Sequence, residues 1–426
     1  MRKALILTRN FPPFVNGDAS RVWKIASNLP EIGWVPVVVA QPAVAGQESS
    51  VPAGSERIIE VHRTGPDIDV SKLEAPEINA LLHGRDVAVL RPLAARLTGL
   101  FRDGHDRADW QKGAAALVEK LLAENPEIEM LYAQGPPLAP LMLALETARK
   151  HHLTVVLDIT APLDPSMPEP GASASSAAAQ AEERIMLSGV PMTTTTRALK
   201  EYFLKKYFGR LDHGAMTIVP PSFDPSHPIF RQPAAKARDG VLRIALLIDE
   251  MPKAELKAAV AGIEAWIKSD GINPGDVEFM SFGEGVDELL RCTAKSPINA
   301  LLTPPAGGRT GDQLGQCRQA GLFCAMLGGT APNTCTIPDR LVDALGMGLP
   351  LCGILPEGPA SKLVAEAGGV TASAGDAAAI AEMFRNMRAA WRSGTLRGAP
   401  AELAARHLVG DVIQELTRAI AGQYVR

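Results

Sequence analysis

Three charged side chains stand close together late in the sequence, and their spacing is that of a ligand-binding helix. Asp339, Arg340 and Asp343 are the only charged residues in the segment 337–353, IPDRLVDALGMGLPLCG. Arg340 and Asp343 lie three apart, on one face of a helix. Pro338 suits the first helical turn, where a missing N–H costs nothing. Leu341, Val342 and Leu345 supply an apolar face at helical spacing, and 349–354 reads as a buried strand. If the helix begins at a binding site, its free N–H groups suit an anion such as a diphosphate. The same pattern also describes an ordinary amphipathic helix with all three charges in water, and both readings stand at this level. Other candidates lie at the ends of apolar runs. Gly283-Glu284-Gly285 follows the run 277–282, Asp158 closes the run 153–159, and Asn16-Gly17 ends a loop containing Pro12 and Pro13.

The elements that must position these residues alternate regularly. Apolar runs at 4–7, 36–40, 58–61, 130–133, 153–159, 191–196 and 216–219 read as strands, separated by helical patterns, the building unit of a parallel sheet. A proline-rich segment, 221–240, breaks the alternation and reads as a linker. The alternation restarts with strands at 242–248, 277–282, 298–302 and 322–327, and helices at 253–268, 287–292 and 310–320. Helices at 360–367 and 376–394 follow, with Asp376 as the N-cap of the second. A long terminal helix, 401–424, closes the chain. The fold class is therefore α/β with two doubly wound domains, at 1–220 and 241–400, facing a cleft. The terminal segment 401–426 has room to pack back on the first domain.

Composition narrows the class. A chain of 426 residues with 46% hydrophobic and 21% charged residues is globular and too long for one ordinary core. A net charge of −4 offers no general attraction to nucleic acid. The five cysteines, Cys292, Cys317, Cys324, Cys335 and Cys352, form no CxxC pair and fit a reducing compartment. The N-terminus, MRKALILTRNFPP, reads as a first strand rather than a secretory signal, so a cytoplasmic location is expected. No histidine and acid cluster shows metal-ligand spacing. The segment 81–104 mixes arginines with apolar residues and offers a surface for peripheral contact with an anionic membrane, or equally a crossover helix packed on a sheet.

These motifs, in this order, resemble a GT-B glycosyltransferase of the large retaining family that uses nucleotide-activated sugars (family 4-like, group 1). Phe11-Pro12-Pro13 with Asn16-Gly17 is similar to that family's first loop. The segment 219–230, VPPSFDPSHPIF, is similar to its end-of-domain P-N-G-V-D-x-x-x-F. Residues 281–285 resemble its G-x-G turn, and PDRLVDALGMGLPL its P-x-K-x-x-E-x-x-A-x-G-x-P-V element. The resemblance implies two Rossmann-like domains, acceptor in the first and nucleotide diphosphate in the second, with no cofactor and no metal. It implies ribose-holding by Asp343, one methylene shorter than the family's acid, and phosphate-holding by Arg340 and Lys257. The turn Gly283, Glu284 and Gly285 and the helix start at Pro338 would line the nucleotide pocket, and the loop at Asn16 and Gly17 would close over the donor. Asp158 and Lys257 are the catalytic candidates, although Asp158 also reads as a strand-end structural residue. Two departures stand out. Cys335 occupies the place of a sugar-binding acid, and the family's diphosphate arginine falls near 249–252, where this chain offers acid.

The expected activity is hexose transfer from a nucleotide sugar to a polysaccharide, lipid-linked or small-molecule acceptor. The alternative is a catalytically degenerate GT-B protein acting as a binding or scaffold module. A nucleotide-sugar epimerase on the same fold would need a histidine, for which only His213 and His227 are placed.

Overall fold

Residues 2–14, 16–43, 59–65, 107–163, 176–232, 240–249, 251–303 and 313–424 are described by the structure, a computed structural model. The segment 81–104 lies outside them, as does the start of the helix expected at 310–320. The described chain divides into two compact units: Met1–Pro220 with Val409–Arg426, and Pro221–Leu408.

In the first unit the apolar runs form β1 (Arg2–Leu7), β2 (Trp34–Ala40), β3 (Glu60–Arg63), β4 (Ile128–Gly135), β5 (Thr154–Ile159), β6 (Met192–Thr194) and β7 (Met216–Ile218). They pair in parallel in the order β3-β2-β1-β4-β5-β6-β7 among the described residues. Leu5, Ile6, Leu7, Val37, Val38 and Val39 are all fully buried. Such continuous apolar strands are what a parallel sheet covered on both faces requires. The order reverses between β1 and β4, so this is the unit's topological switch point.

The second unit repeats the plan with β8 (Leu242–Asp249), β9 (Val277–Phe282), β10 (Leu302–Thr303), β11 (Leu322–Leu327), β12 (Leu351–Ile354) and β13 (Val370–Ala372). Their parallel order is β10-β9-β8-β11-β12-β13, with the switch between β8 and β11. Register brings Leu327 beside Asp249, so the two central strands end level with each other. Outside the sheet, the helices Lys253–Ser269 and Ala377–Arg392 pack closely. Trp266 stacks on Phe384 with ring centroids 5.1 Å apart, and a Cβ on Gly262 would lie 2.8 Å from Ile380 Cβ. Asp376 caps the second of these helices as expected, accepting from the Ala379 N–H at 2.9 Å.

Three expectations need correction. The strand expected at 298–302 is mostly a 3-10 turn, Pro297–Leu301, because the Ser296 hydroxyl accepts the Ile298 N–H and Pro297 begins the turn. Only Leu302–Thr303 pairs with β9. Strand β13 was not foreseen; its residues Val370 and Thr371 are exposed, which leaves little apolar signal.

The terminal helix expected over 401–424 is two helices, Ala401–Ala405 and Val409–Tyr424. Between them His407 turns its backbone and side chain to other partners. Its carbonyl accepts from the Phe223 N–H at 2.9 Å, and its Nδ1–H donates to the Pro221 carbonyl, also at 2.9 Å. Burial holds the imidazole pKa below its ordinary value, against the pull of that carbonyl. Beyond the break, Val409, Ile413, Leu416 and Ile420 join the core of the first unit with Val22, Ile25 and Val156.

Candidate functional site

The carboxyl ends of the sheet strands are where an open parallel sheet binds ligands, above all at its switch point. In the second unit four segments meet that description. The turn Gly283–Gly285 follows β9 and folds against the end of β8. Gly283 has φ +104°, and a Cβ there would lie 2.3 Å from the Ile248 carbonyl oxygen. The Gly285 N–H donates to that same oxygen at 3.0 Å. The tight turn therefore depends on glycine for both conformation and space. Gly283→Ala is expected to destabilise this unit by about 2 kcal/mol or more, since strain and overlap act together. The check is the urea midpoint read from Trp266 and Trp391 fluorescence.

Next to this turn begins the helix Lys253–Ser269. Lys253 Nζ lies 3.4 Å from the Glu288 carboxylate, which also holds Arg291 at 2.6 Å. Lys257, one turn on, is exposed. Between them in sequence, Glu255 reaches the loop after β11, where its Oε2 accepts the Gly329 N–H at 2.8 Å. The stretch after β11 contains a short helix, Ala331–Cys335, that sequence patterning did not reveal. Asn333 Nδ2 donates to the Gly328 carbonyl at 3.0 Å and fixes the loop. Cys335 is buried at the end of that helix, with its sulfur 3.8 Å from the Thr334 hydroxyl.

The helix expected from 337 runs Asp339–Gly346, with Pro338 as its cap residue. Leu341, Val342 and Leu345 are fully buried, as their spacing predicts. Arg340 and Asp343 do share a face. Arg340 NH1 donates to Asp343 Oδ2 at 2.7 Å, and its Nε to Gln313 Oε1 at 3.2 Å. Burial works against the guanidinium charge, but the Asp343 and Asp339 carboxylates outweigh it and raise its pKa above the ordinary value. Asp343 is only 1% exposed, and Asp339 is buried rather than solvated. The ribose-holding acid and the phosphate-holding base of the sequence reading therefore neutralise each other.

In the first unit, Asn16 caps the helix Gly17–Asn28, accepting the Ala19 N–H at 2.9 Å. Polar side chains from several strand ends gather beside it. Thr160 Oγ1 donates to Asp18 Oδ1 at 3.1 Å, and Gln134 Nε2 to the Asp18 carbonyl at 3.3 Å. The Thr8 hydroxyl reaches Gln134 Oε1 at 3.4 Å. Asp18, Gln134 and Thr160 were missed by the sequence reading. An acid in the first turn after a capping asparagine is the one signal that pointed to them.

Asp158 is placed differently from a reactive carboxylate. It is fully buried and receives Arg21 Nε at 2.7 Å and Arg21 NH2 at 2.9 Å. Tyr132 and Thr193 hydroxyls each donate to it at 2.6 Å. Burial alone would raise its pKa, but the Arg21 charge and these hydrogen bonds hold it below the usual carboxylate value. A carboxylate saturated by four donors and closed to solvent cannot take a substrate proton or attack a sugar, so the catalytic expectation for Asp158 is withdrawn. His227 Nδ1 accepts the Ile229 N–H at 3.1 Å, and His213 is exposed on a 3-10 turn that precedes β7.

Among the described residues, no group of three or more His, Cys, Asp or Glu side chains converges as a metal site. No helix among them is long and apolar enough to cross a membrane.

No family model matches the chain, and no curated protein does. Solved structures match it along its whole length. Anabaena HepE in complex with UDP and glucose superposes with a TM-score of 0.64 at 12% identity, covering 99% of this chain and 100% of that one. The sucrose-phosphate synthase of Thermosynechococcus elongatus gives 0.62 at 10% identity, covering 100% of each chain. The α,α-trehalose 6-phosphate synthase of Burkholderia multivorans gives 0.59 at 12% identity, covering 100% and 99%. The two switch-point sheets and this full-length likeness together identify the fold as GT-B.

Proposed function

We propose that the protein is a nucleotide-sugar-dependent hexosyltransferase, metal-independent and retaining, acting on a polysaccharide, lipid-linked or small-molecule acceptor. The observation that carries this reading is the tight Gly283–Gly285 turn at the end of β9, beside the switch point of the second unit. A backbone that close to a strand end leaves room for a nucleotide to lie against it. The likeness to HepE solved with UDP and glucose supports the choice of ligand. In this reading Gly283, Glu284 and Gly285 meet the nucleoside, and Lys257 and the helix start at Pro338 and Arg340 meet the diphosphate. Asp343 acts through Arg340, whose guanidinium it orients. Developing charge on the leaving diphosphate is then stabilised by fixed N–H groups and Lys257.

Calorimetric titration with UDP, ADP, GDP and their glucose conjugates tests the reading. Micromolar to sub-millimolar binding of one nucleotide is expected, with slow hydrolysis of its sugar conjugate when no acceptor is present. Absence of binding to all of them at millimolar concentration defeats it.

A binding or scaffold module is the second reading. The Arg340–Asp343 pair favours it, because it neutralises the cation next to the proposed diphosphate. Nucleotide binding without any hydrolysis or transfer is its expected signature.

A further inference from the structure

Two cysteines stand side by side inside the second unit. Cys324 on β11 and Cys352 on β12 are register partners where those strands pair in parallel. Register partners on neighbouring strands point to the same face of a sheet. Both belong to the core that also holds Met326, Ile354, Trp266 and Phe384, under the helices Lys253–Ser269 and Ala377–Arg392. The alternate residues Phe323, Ala325 and Leu351 belong to the core on the other face. Neighbouring strands lie about 4.8 Å apart, within the Cα separation of about 4.4–6.8 Å that a disulfide spans. Both cysteines are free thiols, and each is 0% exposed. The Cys324 thiol alongside, together with burial, pushes the Cys352 thiol well above its ordinary pKa.

We infer that Cys324 and Cys352 are an oxidation site, which peroxide converts to a reversible disulfide stapling β11 to β12 in their native register. The bond closes a loop over the segment 325–351, which carries the helices Ala331–Cys335 and Asp339–Gly346. Closing such a loop restricts the unfolded chain, so the staple stabilises the second unit. Burial decides when the bond forms. A thiol that is covered and held protonated does not attack peroxide, so oxidation waits until the β11–β12 pairing opens locally. In the opened state one thiolate attacks a peroxide oxygen, breaks the O–O bond and leaves a sulfenic acid and hydroxide. As the strands pair again, the second sulfur attacks the sulfenic sulfur and forms the S–S bond. The sulfenic oxygen leaves as water, and the hydroxide takes up the remaining thiol proton. The two thiols lose two electrons and two protons in all, and one hydrogen peroxide becomes two waters.

The experiment treats the full-length protein with hydrogen peroxide, in native buffer and in urea below the unfolding midpoint. Remaining thiols are blocked with iodoacetamide, and unreduced tryptic peptides are mapped by mass spectrometry. Cleavage after Arg318, Arg340 and Lys362 places Cys324 in peptide 319–340 and Cys352 in peptide 341–362. The two peptides are expected to be joined, faster in urea than in native buffer, and to separate on adding dithiothreitol. The hydrogen-exchange transition of the β11 and β12 amides is expected to shift to higher urea in the oxidised protein. Peptide 319–340 also contains Cys335, so Cys335→Ser should keep the link and Cys324→Ala should abolish it. Fragmentation of the linked wild-type peptides locates the bond even where a variant fails to fold. No link in either buffer, a link through Cys335, or sulfinic acid at Cys324 or Cys352 in place of a link overturns the inference. A link that leaves the urea transition unchanged or lower overturns it as well.

Discussion

Asp158→Ala is expected to unfold the first unit at far lower urea concentration than wild type, a loss of about 3–5 kcal/mol. The cause lies in what the substitution leaves behind. Arg21 is 5% exposed, and its hydrogen bonds to the carbonyls of Val219 and Pro220, at 3.0 and 3.2 Å, carry no charge to replace that of Asp158. Removing the carboxylate that receives two of its N–H groups costs a buried guanidinium much of its compensation for lost hydration. Tyr132 and Thr193 lose their acceptor as well, and each orphaned hydroxyl adds to the loss. Asp158→Asn should be milder, since it still offers an oxygen, yet it must turn N–H donors toward other donors. Because the folded pKa is lowered, the contribution of Asp158 is complete above its ordinary value of 3.8 and disappears only as the pH falls through the lower folded value. The double variant Arg21→Met with Asp158→Leu should recover only part of the loss, because Arg21 also satisfies two carbonyls where the chain leaves β7. Trp23, Trp34 and Trp110 report on this unit, whereas Trp266 and Trp391 report on the other. The measurement is the urea transition of each unit followed separately by hydrogen exchange, since two domains need not unfold together. A variant that keeps wild-type stability and loses only turnover would restore Asp158 to catalysis.

The reversal for Asp158 shows which parts of this molecule were legible in its sequence. Periodicity and apolar runs carry the free energy of burial, which is summed over many side chains, so the alternation of strands and helices and the helix faces could be read directly. Leu341, Val342 and Leu345 were assigned to the core on spacing alone, and each is fully buried. What a charged residue does depends on one or two neighbours distant in sequence, and no pattern records them. Arg21 and Asp158 are 137 positions apart. Glu255 and Gly329 are 74 apart, and Asp18 and Thr160 are 142 apart. The break at His407 had the same origin. Residues 401–424 have helical spacing throughout, but His407 is committed to Pro221 and Phe223, 186 and 184 positions earlier, and the helix yields there. A resemblance of motif order led to the right fold because order is a property of the whole chain. It offered Asp158 as a catalytic candidate, and the ordinary-helix reading put Asp339 in water, because the surroundings of both are set by single pairs.

The same distinction decides the role of Asp343, and a pair of measurements separates the two possibilities. Asp343→Ala is expected to destabilise the second unit by about 2–4 kcal/mol, somewhat less than Asp158→Ala in the first, because Arg340 keeps Gln313 and the nearby charge of Asp339. The Trp266 and Trp391 transition should shift to lower urea whether or not nucleotide is present. Replacing the pair together, Arg340→Met with Asp343→Leu, should recover most of the loss, since both side chains then become apolar beside the fully buried Leu341 and Val342. Nucleotide affinity supplies the second measurement. A carboxylate that grips ribose distinguishes UDP from its 2′,3′-dideoxy analogue, because the analogue leaves the acid unpaired. Asp343 is 1% exposed and engaged with Arg340 at 2.7 Å, so the ratio of the two affinities is expected to be the same in wild type and in Asp343→Asn. Absolute affinity should fall in the variant for both ligands, through the disordering of Arg340. A ratio that collapses to one only in Asp343→Asn would place the ribose against this carboxylate, and would require the Arg340–Asp343 pair to open when the nucleotide binds.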